Sequence, residues 1–387
     1  MVLPKFYMTV LFLVLGFSIT EARKVVIHRA NRTTAATTIV APLPIEGVTP
    51  TSTQNFATTT PIQVCGSNWT YFDYAAQCYI LIVAKEDFNW HEAEEYCVEL
   101  GGHLASIHDE VENVFLGEWT RTGLIYREKD CNHALSLAIQ HYPFTGLLYF
   151  NDTEIKNFRW SDHSPTDYYS KKIVANDDKE LASCLTIAGD NKYWDDVQIV
   201  TLEKLPHYAW VFVRCVESKR KRFVCQKPVS DEVKNCEKTE TTACGRLLVC
   251  PSLWTYFEES GACYQKGYES DYENAERVCE EHGGKLAVAQ SDTEYEFLIE
   301  FSKIGTSLEG YPDDFVWIGG IHYEDMSRTV IGRINDPTML YTGELPASGC
   351  LALNPDGNRT MKGDETWKWK ECSEYMRGFI CKKAAAV

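Results

Sequence analysis

Hydrophobic and polar positions follow strand-like and then helix-like periods in two stretches of the chain, in the same order each time. An aromatic run opens each stretch: Trp69-Thr70-Tyr71-Phe72 between Cys65 and Cys78, and Trp254-Thr255-Tyr256-Phe257 between Cys250 and Cys263. Each run reads as a short strand leading to a helix. In the second stretch Tyr272, Ala275, Val278 and Cys279 recur at helical spacing, with Ser270 as the expected cap. Gly283-Gly284 then ends that helix, because glycine tolerates the left-handed conformation at C′. A second helix is expected over 109–119, with Val111, Val114, Phe115 and Trp119 as its apolar face. Its counterpart is expected over 292–301, facing inward with Tyr295, Leu298, Ile299 and Ser302. Long polar segments with short β-type runs such as Phe315-Val316-Trp317-Ile318 follow. Helices first and short strands afterwards predict an α+β fold.

The repetition extends to spacing. Cys97-x3-Gly101-Gly102-x-Leu104-Ala105 matches Cys279-x3-Gly283-Gly284-x-Leu286-Ala287, and Phe223-Val224-Cys225 matches Phe379-Ile380-Cys381. Two copies of one module are therefore expected, over 65–227 and 250–383, with a linker at 228–249 and a tail at 384–387. Residues 23–64 are rich in Thr and Pro and cannot bury enough apolar surface to order themselves, so they read as an extended stalk, a plausible site of O-glycosylation. Before them, Lys5, an apolar run from Phe6 to Ile19 and a small-x-small site at Thr20-Glu21-Ala22 read as a signal peptide over 1–22. That run falls short of the roughly 20 residues that span a bilayer, so an exported protein without a membrane span is expected.

Composition narrows the partners. With 38 basic and 55 acidic side chains the formal charge is −17, which argues against nucleic acid and anionic membrane surfaces as partners. Fifteen cysteines point to an oxidising compartment, and the odd number leaves one thiol over. Sequons at Asn31, Asn68, Asn151 and Asn358 are candidate N-glycan acceptors. Lys219-Arg220-Lys221-Arg222 reads as a solvated hairpin tip, with a sulfated-glycan contact or a basic-site protease cut as sharper alternatives. His91-Glu92-Ala93-Glu94-Glu95 lacks the second histidine of a zinc-protease helix. No nucleophile elbow or phosphate loop accompanies it, so a non-enzymatic protein is expected.

The paired cysteines with Trp-x-Tyr-Phe, the Cys-x3-Gly-Gly-x-Leu-Ala helix exit, Trp317-Ile318-Gly319-Gly320 and the terminal Phe-x-Cys together resemble the C-type lectin-like domain, twice. Two such domains behind a Thr-rich stalk are similar to secreted nematode C-type lectins. The resemblance implies small antiparallel sheets, two helices and long loops per domain. It also implies disulfides Cys65–Cys78, Cys97–Cys225, Cys184–Cys215, Cys250–Cys263, Cys279–Cys381 and Cys350–Cys372. The bridges that close loops of over a hundred residues should each stabilise by roughly 4–5 kcal/mol. Cys236 and Cys244 could then pair within the linker, leaving Cys131 unpaired.

Sugar-binding members hold calcium through a Glu-Pro-Asn or Gln-Pro-Asp loop, a further Glu and a Trp-Asn-Asp strand, because calcium takes six to eight oxygen ligands. Counting back from Cys184, the first copy has Val174-Ala175-Asn176 at the loop and Ala182 at the Glu position. Trp194-Asp195-Asp196 is assigned to its strand. Asn176, Asp195 and Asp196 thus form a remnant calcium site, in the first domain only. The second copy has Leu340-Tyr341-Thr342 and Trp367-Lys368-Trp369, and a lysine there opposes a dication. In the first copy Leu135-Ser136-Leu137-Ala138 is taken as the Trp-Ile-Gly-Gly counterpart. Residues 197–214, with Trp210 and Phe212, are taken as an insertion after the calcium strand. Trp160, Tyr168, Tyr169 and Trp194 are candidate ligand-binding groups. The implied function is carbohydrate recognition in a defence setting. The alternative is a calcium-independent module that binds extracellular proteins or serves a structural role.

Overall fold

A computed structural model describes residues 63–124, 126–127, 141–152, 155–174, 183–190, 192–195, 198–201, 207–229, 249–305, 315–322, 349–356 and 367–386. The expected signal peptide and nearly all of the stalk lie outside these residues, as do Cys131, Cys236, Cys244, Asn31, Asn176, Asp196 and Asn358. Residues 58–387 form one compact unit.

The first copy runs β1 (Thr70–Phe72), β2 (Gln77–Phe88), α1 (Trp90–Glu99), β3 (His103–Leu104), α2 (Glu110–Trp119), β4 (Tyr126–Arg127), β5 (Phe144–Asp152), β6 (Ile155–Trp160), β7 (Ile173–Val174), β8 (Ser183–Ile187), β9 (Lys192–Asp195), β10 (Gln198–Thr201), β11 (Trp210–Arg214) and β12 (Arg220–Pro228). The second runs β13 (Thr255–Phe257), β14 (Ala262–Ser270), α3 (Tyr272–Glu281), β15 (Lys285–Leu286), α4 (Asp292–Ser302), β16 (Val316–His322), β17 (Gly349–Leu353), β18 (Trp367–Lys370) and β19 (Met376–Ala384). None of the described helices is long and apolar enough to cross a membrane.

Local chemistry sets the helix ends. Asn89 accepts from the amides of His91 and Glu92 while Glu92 accepts from the Asn89 amide at 2.7 Å, a capping box that starts α1. In α3 the cap is Asp271, not the expected Ser270: Asp271 Oδ1 accepts from the Asn274 amide at 2.8 Å, and Ser270 is buried beneath it. The glycine pairs divide two tasks. Gly101 and Gly283 adopt φ of +82° and +75°, while a Cβ on Gly102 or Gly284 would lie 2.2 or 2.8 Å from a carbonyl of the closing strand. Helices α2 and α4 turn equivalent faces inward, placing Phe115 on Phe72 with Trp119 next in the stack, and Phe297 on Phe257 with Phe301 next. Val111, expected on that face, is exposed. Glu112, Asn113 and Leu116 are buried in its place.

Among the described residues six disulfides join Cys65–Cys78, Cys97–Cys225, Cys184–Cys215, Cys250–Cys263, Cys279–Cys381 and Cys350–Cys372. The two long ones tie a helix to the last strand of its copy. That strand pairs antiparallel with β2 or β14 and parallel with β5 or β16. Its register corrects one assignment. Trp317 lies opposite Phe379, and Phe144 lies opposite the equivalent Phe223, so the counterpart of Trp-Ile-Gly-Gly is Phe144-Thr145-Gly146-Leu147. The amides of Gly146 and Gly319 donate equivalently to Ala105 and Ala287, each at 2.8 Å. The indole has moved: Trp90 on α1 donates to the Thr145 carbonyl, whereas in the second copy the strand residue Trp317 donates to Ser270 and the helix carries Tyr272. Exchanging the large ring between helix and strand conserves core volume, the kind of swap that packed interiors tolerate.

The basic run 219–222 is not a solvated tip. Arg220 and Arg222 are buried, and Arg222 donates to the carbonyls of His141 and Thr120 at 2.7 and 2.6 Å. The guanidinium of Arg220 lies 6.0 Å from the centre of the Phe144 ring, and burial lowers its pKa to about 10. Neither a sulfated-glycan contact nor a protease site fits two inward-facing arginines.

The copies join through their matching strands. Thr70 pairs with Thr255, Asn68 donates its amide to Tyr256 O, and Leu253 donates to Tyr71 O, each amide bond 2.8 Å long. This local two-fold relation makes one sheet of sixteen strands among the described residues. Ile304 of the second copy belongs to the core cluster of the first. Arg121 crosses the junction to Glu269 and also pairs with Asp190 and Glu118. Arg121→Ala removes the ion pairs to Asp190 and Glu269, while Asp190 keeps its bonds from Thr122 and Gly123, so the variant should lower the unfolding free energy by about 1–3 kcal/mol. Urea denaturation measures this loss.

Candidate functional site

The expected remnant calcium strand lies elsewhere. Trp194 and Asp195 belong to β9, which pairs with β10 and β4 in a separate three-stranded sheet. The strand opposite Cys184 is β11, with Val213 facing Cys184, as Lys370 of β18 faces Cys350. The tryptophan of the calcium strand is therefore Trp210, and the two positions after it are Val211 and Phe212, both buried. In the second copy the same positions are Lys368 and Trp369. The extra residues are thus inserted before this strand, not after it. An isopropyl, a benzyl, an ammonium and an indole supply no hard oxygen ligand, so these strands do not fit calcium. Among the described residues no three His, Cys, Asp or Glu side chains are placed to hold a metal ion. Of the expected ligand set, Asn176 and Asp196 lie outside the described residues, and Asp195 is placed in β9.

Trp160 is also corrected. It is 0% exposed, at the end of β6, edge-on to Trp210 at 6.0 Å, and cannot stack on a ligand. The sequence signal, a tryptophan in a loop-rich segment, does not distinguish a lining ring from a core ring.

Tyr168 and Tyr169 have a different setting. With Glu110, Ser170, Lys171 and Lys172 they line a cleft of about 380 Å³. Glu110 is in the first turn of α2, whose N-cap Asp109 accepts from the Glu112 amide at 2.9 Å. The Tyr168 hydroxyl donates to Glu110 Oε2, and burial with this bond pushes the phenol well up. The Tyr169 ring is 47% exposed and rests edge-on against Phe158 and Trp210 at 5.0 and 5.5 Å. Its base is rigid, because Trp210 Nε1 donates to Asn113 Oδ1 at 2.8 Å. Across the cleft Lys172 Nζ donates to the His207 carbonyl at 3.2 Å, while Lys171 is exposed. The cleft thus offers an open phenol face, a carboxylate and an exposed ammonium. Glu110, Ser170, Lys171 and Lys172 were not singled out from sequence; nothing in their spacing marks them.

The segment carrying the tyrosines is held by residues that sequence reading passed over. Asp162 accepts from Ser106 Oγ at 2.7 Å, from Ser164 Oγ and from Gln226 Nε2. His108 bridges Ser106 Oγ at 3.0 Å and Asp167 Oδ1 at 2.9 Å. Ser, His and Asp stand in relay order, but Ser106 is 1% exposed and its hydroxyl is shared with Asp162 and Gln226. It therefore serves as a tether. In the second copy Lys382 takes the place of Gln226 and pairs instead with buried Glu294. The other expected sites are separate: Asn68 is exposed at the junction, and Asn151 lies in β5 opposite Lys156.

Residues 86–227 and 268–383 each match the family model for the lectin C-type domain. The chain is 23% identical to mouse C-type mannose receptor 2 over 331 residues, 83% of this chain and 18% of the receptor. It is 24% identical to C-type lectin domain-containing protein 161 of Caenorhabditis elegans, covering 67% of this chain and 27% of that protein. The chain thus spans less than a third of the length of these relatives. Similar solved structures include the cow CD23 carbohydrate-recognition domain (20% identity, TM-score 0.29, 44% of this chain and 99% of that one) and a calcium-independent type II antifreeze protein (19%, TM-score 0.28, 44% and 98%).

The two aromatic settings predict different variants. Trp160→Ala should cost about 3–5 kcal/mol of stability, whereas Tyr169→Ala should cost about 1 kcal/mol or less. Parallel urea denaturation of the two variants checks the contrast.

Proposed function

The chain belongs to the C-type lectin domain family, and from that premise we propose that it binds carbohydrate without calcium, through the Tyr168–Tyr169 cleft of its first domain. The observation that carries this reading is a half-exposed tyrosine beside a carboxylate and an exposed ammonium. A pyranose presents an apolar ring face bordered by hydroxyls. The face suits an aromatic ring held rigid from below, and the hydroxyls suit Glu110 as acceptor and Lys171 as donor. The buried Val211 and Phe212, together with Lys368 and Trp369, support a mode in which calcium has no part.

The fold is generally a non-enzymatic binding module, and binding is the activity proposed. The six disulfides among the described residues fit an extracellular domain. We attach to this the export expected from the N-terminal apolar run, and a defence setting with microbial or self glycans as targets.

A glycan array probed with the purified protein, in calcium and in EDTA, tests the proposal. Equal binding in both is expected, with Tyr169→Ala weakening it at least about tenfold, or about 1.4 kcal/mol. Loss of binding in EDTA would overturn the calcium-independent mode. Failure to bind any glycan would overturn carbohydrate recognition and leave a protein ligand as the reading.

A further inference from the structure

Where the two copies meet there is a small cavity of about 10 Å³, room for one water-sized particle. Arg121 reaches it from the first copy, and Lys266, Lys303 and Arg377 from the second. Three of these cations have carboxylates at hand. Arg121 pairs with Glu118, Asp190 and Glu269, Lys303 with Glu300, and Arg377 Nη2 lies 3.7 Å from Asp356. The hydroxyls are committed too, Tyr268 donating to Trp119 O and Ser302 to Leu298 O.

Lys266 is different. Its ammonium has no hydrogen bond or ion pair among the described residues and lies 5.8 and 5.3 Å from the ring centres of Trp119 and Phe301. By strand register Lys266 faces Ile380 as Leu81 faces Val224, so the equivalent position in the first copy is a leucine. An ammonium at a site that the fold fills elsewhere with an apolar side chain is costly unless something neutralises it. The neighbouring guanidinium groups of Arg222 and Arg377 add repulsion, and burial pushes the Lys266 pKa down to about 7.

We propose that this cavity binds a monoatomic anion, chloride in ordinary buffers, which neutralises Lys266 at the junction. The volume suits one small ion and is too small for a phosphate or a carboxylic acid. A lysine with a lowered folded pKa opposes folding while it is charged, so its contribution to stability rises with pH between about 7 and about 10. A bound halide offsets that cost at low pH and loses its hold as Lys266 becomes neutral.

Thermal unfolding of the full chain at pH 6, in sodium chloride or bromide against sodium gluconate of equal ionic strength, tests the site. The halides should raise Tm by about 2–4 °C, less at pH 9, with the gain retained in Lys266→Arg and lost in Lys266→Met. Equal Tm in all three salts, or a halide gain that survives Lys266→Met, would overturn the proposal. Crystals of the unaltered protein grown in bromide give an independent measure: an anomalous peak beside Lys266 Nζ is expected, and an ordered water there would sink the idea.

Discussion

Each domain depends on the register of its last strand. Strands β12 and β19 bond on one side to β2 or β14 and on the other to β5 or β16, and each carries the cysteine that reaches back to a helix. A slip of one residue would turn every inward side chain outward and draw the disulfide out of reach. Because this strand closes loops of 128 and 102 residues, the irregular halves inherit their order from it. The position of the Trp-Ile-Gly-Gly counterpart, the close approach of Gly102 and Gly284, and the inward aim of Arg220 and Arg222 all follow from that register.

The same frame supports two different sites. In the second copy Lys382 pairs with Glu294 inside the domain. In the first the equivalent Gln226 turns to Ser106 and Asp162, and so tethers the segment bearing Tyr168 and Tyr169. One side-chain difference on a shared strand decides whether a polar group closes the core or positions a loop. The exposed ring of Tyr169 is fixed by what lies beneath it, Trp210 and Phe158, rather than by anything at the surface.

The junction is a direct contact between the two copies. The paired Thr-Tyr-Phe strands, the shared Ile304 and the bridge from Arg121 to Glu269 fuse the copies into one body. Gly123 shows how close the contact is, since a Cβ there would lie 1.9 Å from the Arg377 carbonyl oxygen. Lys266 stands out because it brings charge into this junction without a matching carboxylate among the described residues.

Much of the fold was legible in the sequence because its signals are local: cysteine spacing, the Gly-Gly helix exits and the aromatic runs repeat in register. The copy count, the α+β order and the approximate helix positions follow from these alone. The site was legible only in fragments. Tyr168 and Tyr169 were singled out, but so was Trp160, and only packing separates an exposed ring from a buried one. Trp194-Asp195-Asp196 resembles a calcium strand in composition. Which tryptophan faces the Cys184 strand depends on long-range hydrogen bonds across an insertion, and Trp210 takes that place. Glu110, Lys171 and Asp162 carry no motif; they become a cleft and its tether when α2 and the segment after β6 are brought together. Local chemistry wrote the elements into the sequence, while strand register and burial, which couple residues a hundred positions apart, decided what the elements present to a ligand.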